Sequence, residues 1–378
     1  MGYSHEWLIY APQVTTSNLT TFNTTAAEYY AVPAITSNIT QTYNIEEERE
    51  LSNQRGRSGH ELAGIAPTGN WTQKFYTENL LALWLTFMTD YVKQTDTPTA
   101  GNYTYGLLYD DSADLDFVSM QQIYKDTAQY PTDAMGLSIL AGIVNSYTIE
   151  AAIGQSVRFN PTWLAKDVGV STDDSAGDSK VWTYDGTTNT PNIIDVTSVI
   201  GIPSARPLWF YDSTLTYDSD AGAALTFNPT TQVSSFATMD TLSRVENLTI
   251  DVNHGLDEDG WELSSDRSRN AFCPGNRDIN LNLTLSWCDR STTLWELARA
   301  GTPIAMEFDF VRTASTRLVK FFFPAVFIEP FDLPDIAGDK TKRTFDVTGR
   351  AEMYAVNNTT TGTTTYDMNV VWVNGENL

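Results

Sequence analysis

The chain is poor in cysteine, histidine and lysine, and it has no long hydrophobic run. Its two cysteines, Cys273 and Cys288, cannot build a disulfide framework or a four-ligand zinc site. Pairing across a hairpin is open to them, but free and partly buried thiols are the expectation. The three histidines, His5, His60 and His254, never fall in an HxH or HExxH spacing. His60 and His254 read as exposed polar residues of two long loops. The longest apolar run, LLALWLTFM at 80–88, has about half of the ~20 residues that a spanning helix requires. The first residues, MGYSHEWLIYAPQ, lack the basic and apolar segments of a secretion signal, so a soluble chain made in the cytoplasm is expected, with no membrane partner. No GxSxG, GxxxxGK[ST] or GxGxxG motif occurs. The sequence therefore nominates no catalytic residue, no cofactor site and no metal site, and a non-enzymatic role is expected.

Acid dominates what is there. Thirty aspartates and 17 glutamates face eight lysines and 15 arginines, for a net charge of −24. Such a surface repels phosphates, so tight nucleic-acid binding through counterion release is excluded. Low lysine with excess aspartate suits a protein working in very high salt, where repulsion is screened; ordinary solubility is the plainer reading. Acidic pairs occur at Asp114 with Asp116, at Asp173 with Asp174, and in DEDG at 257–260. Paired carboxylates serve glycosidases and calcium sites. Among 47 acids such pairs arise by chance, and DEDG lacks the spacing of an EF-hand. Abundant Thr, Asn, Asp, Gly and Tyr favour a mainly β fold.

One short phrase returns. ELSNQRGR at 50–57 becomes ELSSDRSR 212 residues later, with five of eight positions the same. The surroundings return in phase. A strand precedes each phrase, and IAPTGNWTQKFY and INLNLTLSW follow as alternating strands. Each is followed by a helix. The first is TENLLALWLTFMTDYV, with Thr77 as N-cap and Leu80, Leu83, Trp84 and Phe87 on one face. The second is STTLWELARAG, with Asp289 or Ser291 as cap, Leu294, Leu297 and Ala298 as its stripe, and Gly301 as its end. Further strands follow both helices. The pattern is a diverged duplication. It predicts one domain over 1–170, a loop-rich connection over 171–240, and a second domain over 241–378, with strands from about 193 leading into that second domain.

Both phrases put acids before arginines. In such a loop Glu50, Leu51, Arg55 and Arg57, and likewise Glu262, Leu263, Arg267 and Arg269, can pair with another copy, since arginine grips carboxylates through two hydrogen bonds. A solvated hairpin tip is the plainer reading. The first helix is apolar around most of its surface and needs cover from the sandwich or from a neighbouring subunit.

The strand-into-helix pattern IAPTGNWTQKFYTENLLALWL, the series YTYGLLYDDSADLDFVSMQQIY and MGLSILAGIVNSYTIEAAIGQSVRF, and the later RVENLTIDVNHGL, KFFFPAVFIEPFDLPDI and FDVTGRAEMYA carry a resemblance. Over residues 27–374 the chain resembles the major tail tube proteins of long-tailed, non-contractile viruses of bacteria or archaea. The resemblance implies two tandem β-sandwich domains, each with one flanking helix and a long hairpin loop. It implies a barrel closed through subunits, and homo-oligomeric trimeric rings of pseudo-sixfold symmetry. The two phrases would lie in loops between stacked rings, and the first helix would pack between the barrel and a neighbouring domain. Partners would be tape-measure and tail-tip or terminator proteins, with viral DNA passing through a negative lumen without tight binding. Acidic composition adds the expectation of a halophilic archaeal host. A capsid decoration protein or a glycan-binding β-sandwich adhesin is the rival reading, and a two-carboxylate glycoside hydrolase the third.

Overall fold

The computed structural model describes residues 4–12, 29–48, 59–77, 90–95, 103–109, 117–126, 134–172, 199–200, 206–221, 225–257, 272, 275–287, 289–312, 317–332, 343–360 and 362–374. Within them the fold is mainly β. The first half supplies β1 (Ser4–Pro12), β2 (Tyr29–Val32), β3 (Ala34–Glu48), β4 (Gly59–Lys74), β5 (Asp90–Thr95), β6 (Tyr103–Tyr109), β7 (Val118–Asp126), β8 (Ala134–Ala152), β9 (Arg158–Leu164) and β10 (Asp167–Thr172). β11 (Val199–Ile200) and a 3-10 turn (Phe210–Asp212) lead to β12 (Ser213–Asp218), β13 (Leu225–Asn228), β14 (Val233–Phe236) and β15 (Asp240–Thr241). Then come β16 (Val245–Asn253), β17 (Asp278–Ser286), helix α1 (Asp289–Ala300), β18 (Ile304–Val311), β19 (Leu318–Ile328), β20 (Thr344–Ala351), β21 (Tyr354–Asn358), β22 (Thr363–Tyr366) and β23 (Met368–Asn374).

The order of antiparallel pairings occurs twice. β1 pairs with β7, β7 with β8, β8 with β9, β9 with β4, and β4 with β3. β12 pairs with β18, β18 with β19, β19 with β20, β20 with β17, and β17 with β16. Two of the irregularities repeat too, while the shifts at Asn44/Ile45 and Val144/Ser146 have no counterpart. The β3–β4 ladder shifts register between Ala34 and Thr36, and the β16–β17 ladder between Val245 and Asn247. The β7–β8 ladder shifts between Val118 and Met120, and the β18–β19 ladder between Ile304 and Met306. A bulge re-aims a strand, and here both series are re-aimed at matching steps.

β8 and β19 are long enough to serve two layers. The N-terminal part of β8 pairs with β7 and β10, and its C-terminal part with β9 and β16. β19 runs beside β23 up to Phe322 and beside β20 from Val326. Pro324 falls between those two stretches, where a missing N–H breaks no ladder bond. Alternation along each strand turns one face inward. Trp71, Tyr147, Ile149, Phe159, Trp163, Ile250, Leu281, Phe308, Phe321 and Trp372 meet in one continuous core. β13, β14, β21 and β22 form a separate four-stranded sheet over Leu108, Phe322 and Val371.

The second helix forms with Leu294 and Ala298 buried, and Gly301 ends it at φ +65°, where an L side chain would be strained. Asp289 and Ser291 both lie inside this helix rather than before it, and the Ser291 hydroxyl donates to the Ser286 carbonyl at 3.5 Å. Most of the first predicted helix, with Leu80, Leu83, Trp84 and Phe87, lies outside the described residues. Its last part differs from the expectation: Asp90, Tyr91 and Val92 belong to β5, paired with β6. A β-branched and an aromatic residue beside a partner strand outweigh the tail of a helical pattern.

Candidate assembly interface

Two antiparallel hairpins carry the repeated phrases. β3 and β4 are paired from Ala34↔Gln73 up to Glu48↔Gly59, and residues 49–58 join them. β16 and β17 are paired up to Asn253↔Asp278. Glu50, Leu51, Arg55 and Arg57, and Glu262, Leu263, Arg267 and Arg269, therefore belong to the connections of two paired hairpins, but they lie outside the described residues. Cys273 and Cys288 lie outside them as well.

The stem of the second hairpin is fixed by a buried polar cluster. Leu248, Ile250 and Val252 point inward from β16, and His254 continues that alternation into the core at 3% exposure. This corrects the reading of His254 as exposed; its phase with the buried positions of β16 was the available clue. The ring of His254 stacks 6.1 Å from Tyr109 and lies 6.1 Å from Tyr147. The two tyrosine hydroxyls share a hydrogen bond of 2.8 Å. Arg277 Nε donates to Asp367 Oδ2 at 2.8 Å, and its guanidinium lies 5.4 Å from the Tyr109 ring centroid. The backbone closes around them: the His254 N–H donates to the Asn145 carbonyl at 2.8 Å, and the Leu256 N–H to Asn145 Oδ1 at 3.0 Å.

Burial sets the charge state of this cluster. It pushes His254 down to about 3, helped by Arg277, so the imidazole is neutral. It pushes both tyrosines up. Burial also raises the Asp367 carboxyl, against the pull of Arg277. The arrangement ties β6, β8, β16, β17 and β23 together at the foot of the loop.

The edges of the hairpins differ. Over Ser146–Ala152 the outer edge of β16 is paired with β8. The corresponding edge of β3 has no strand partner among the described residues, and Ile35 stands 54% exposed on that strand. An unpaired edge of this length is a template for another chain.

These are features of a β protein that assembles. The chain belongs to the phage tail tube protein family: the family model described as "Phage tail tube protein" matches residues 13–349. That places it in the virion tail as a structural protein that assembles into an oligomer there. No curated protein matches it.

Proposed function

We propose that the chain polymerises as stacked rings into the hollow tail tube through which viral DNA passes, and that each ring holds three copies in pseudo-sixfold symmetry. The carrying observation is the repeated pairing order with its matching bulges, together with one paired and one unpaired hairpin edge. On this reading 1–170 and 241–378 are tandem tube domains joined by 171–240, a segment that also lends the second domain β12, its counterpart of β1. The β8–β16 contact is one first-to-second domain junction, beside the β6–β23 ladder. The next copy's β19–β20 end, which corresponds to β8–β9, supplies the same junction to β3. Each ring then closes without a free edge. Glu50 to Arg57 and Glu262 to Arg269 reach the adjacent ring, and Leu80, Leu83, Trp84 and Phe87 pack against a neighbouring domain. Tape-measure and tail-tip or terminator proteins set length and start.

Ile35→Asp tests the edge. The isolated chain should keep its stability within about 0.5 kcal/mol, because the position is exposed. Tube formation should fail. Wild-type assembly by this variant would remove β3 from the subunit contact.

A further inference from the structure

The two halves differ in three hairpins, and these converge. β5–β6 lies between β4 and β7, where the second half passes from α1 to β18 through residues 301–303. β21–β22 lies between β20 and β23, where the first half passes from β9 to β10 through Ala165 and Lys166. β13–β14 lies between β12 and β15 and has no counterpart among the described residues. All three meet at β23. β10 stands to β8 as β23 stands to β19, each antiparallel to the N-terminal part of the longer strand. The outer edge of β10 has no strand partner among the described residues. That of β23 is taken by β6, from Met368↔Tyr109 to Asn374↔Tyr103. A strand of the first half thus lies inside a sheet of the second. Alternation buries it on both faces: Tyr105, Leu107 and Tyr109 enter the common core, and Leu108 enters the cluster under the four-stranded sheet.

The four-stranded sheet closes over β6 through fitted contacts. Asn369 of β23 is fully buried, and both its amide hydrogens and its oxygen are engaged. Nδ2 donates to the Leu107 carbonyl at 2.8 Å and to the Gln232 carbonyl at 2.9 Å, and Oδ1 accepts from the Ser234 N–H at 3.0 Å. One side chain therefore joins β6, β23 and the β13–β14 hairpin. Beside it, Gly106 of β6 lets the turn of that hairpin approach. A Cβ there would stand 2.3 Å from the Gln232 carbonyl oxygen and 2.5 Å from that of Thr231. Asn228 Oδ1 shapes the turn by accepting from the N–H groups of Thr230 at 3.0 Å and Thr231 at 3.3 Å. The Ser234 and Tyr366 hydroxyls share a buried hydrogen bond of 2.7 Å, which fastens β14 to β22.

We infer that β5–β6 is an arm that the first half contributes to the second, and that the four-stranded sheet is a clasp that locks it there and so fixes the angle between the halves. The β8–β16 ladder alone would leave one line of attachment about which the halves could turn. The β6–β23 ladder adds a second line, beside β19. A sheet that only covered apolar surface would need neither a hydrogen bond to the β6 backbone nor a glycine beneath its turn. The clasp belongs to the single chain and does not depend on the ring. Its consequence for the tube rests on the ring assembly proposed above. There the joint between copies has no arm, because the second half carries no hairpin between α1 and β18. Bending of the tube then falls between copies and not within them.

Native-state hydrogen exchange of the free subunit, read by mass spectrometry at rising denaturant, tests the clasp. β5 and β6 should lose protection in the same step as β23, β13 and β14, and apart from β3, β4 and β9 of their own half. Asn369→Leu keeps the side-chain size and removes the three hydrogen bonds. It should speed exchange of β5, β6, β13 and β14 by about tenfold or more and leave β3, β4 and β9 within about twofold. Opening of β6 together with β3, β4 and β9 would overturn the arm. A rise confined to β13 and β14 in the variant, or one shared equally by the whole chain, would overturn the clasp. The wild-type measurement needs no variant and decides alone should Asn369→Leu not fold. The consequence for the tube is read on bent virion tails by electron microscopy, where displacements should fall between copies. Equal displacement within and between copies would overturn the fixed angle. Six copies per ring would overturn the ring reading and leave the clasp standing.

Discussion

His254 shows how one buried residue couples the fold to pH. Its imidazole is held neutral down to about 3, against 6.5 for an ordinary histidine. Between those values the unfolded chain binds a proton that the folded chain refuses. Stability therefore rises with pH across that window and falls as pH drops through it. The facing groups are Tyr109, Tyr147, Arg277 and Asp367. Among these only Asp367, whose carboxyl is raised by burial, opposes the trend. From pH 6.5 to 5 the slope due to His254 should approach about 1.4 kcal/mol per unit. His254→Gln should flatten it, as read by denaturant unfolding at several pH values. An unchanged slope would mean that another group carries it.

The hairpins show what a strand needs beyond its pattern. Gly69 of β4 lies opposite Trp163 of β9, and an added Cβ would sit 2.2 Å from that ring and 2.6 Å from the Asn38 carbonyl oxygen. Gly69→Ala should destabilise the fold by roughly 1–3 kcal/mol, because neither the indole nor the β3 backbone can withdraw freely. Denaturant midpoints would show it, and a neutral result would mean that the layer is loosely packed. Strands such as β6, β17 and β18 were legible in the sequence because their alternation or apolar runs are strong. So was the hairpin framing of each repeated phrase. The end of the first helix was not, since Tyr91 and Val92 fit both a helical face and a strand, and pairing with β6 decided between them. The side sheet of β13, β14, β21 and β22 was not legible either: β13 and β21 pair in parallel across a long stretch of chain, which no local pattern encodes. Nor was the cluster around His254, because its partners come from four other segments of the chain.

For the whole molecule, the sequence signal that mattered was an echo of polar residues. Its spacing of 212 residues agrees with the match of Gln73 on Leu285, the partners of Ala34 and Val245 at the paired start of each hairpin. The loops themselves carry the proposal for ring stacking. Arg267→Glu with Arg269→Glu should leave the subunit folded, since on the proposed reading these charges act between rings, while abolishing long tubes. Circular dichroism would check folding and sedimentation would check assembly. Tubes as long as wild type would detach these arginines from stacking.

The central claim is that one chain supplies two adjacent tube domains and that three chains close a ring. Electron microscopy of tubes formed by the purified protein, or of virion tails, measures this directly by rotational symmetry and mass per ring. The account predicts hollow tubes with three copies per ring, six similar densities around the bore, and an axial repeat of one ring. Six copies per ring, or a ring whose wall is not continuous across the β3 edge, would contradict it.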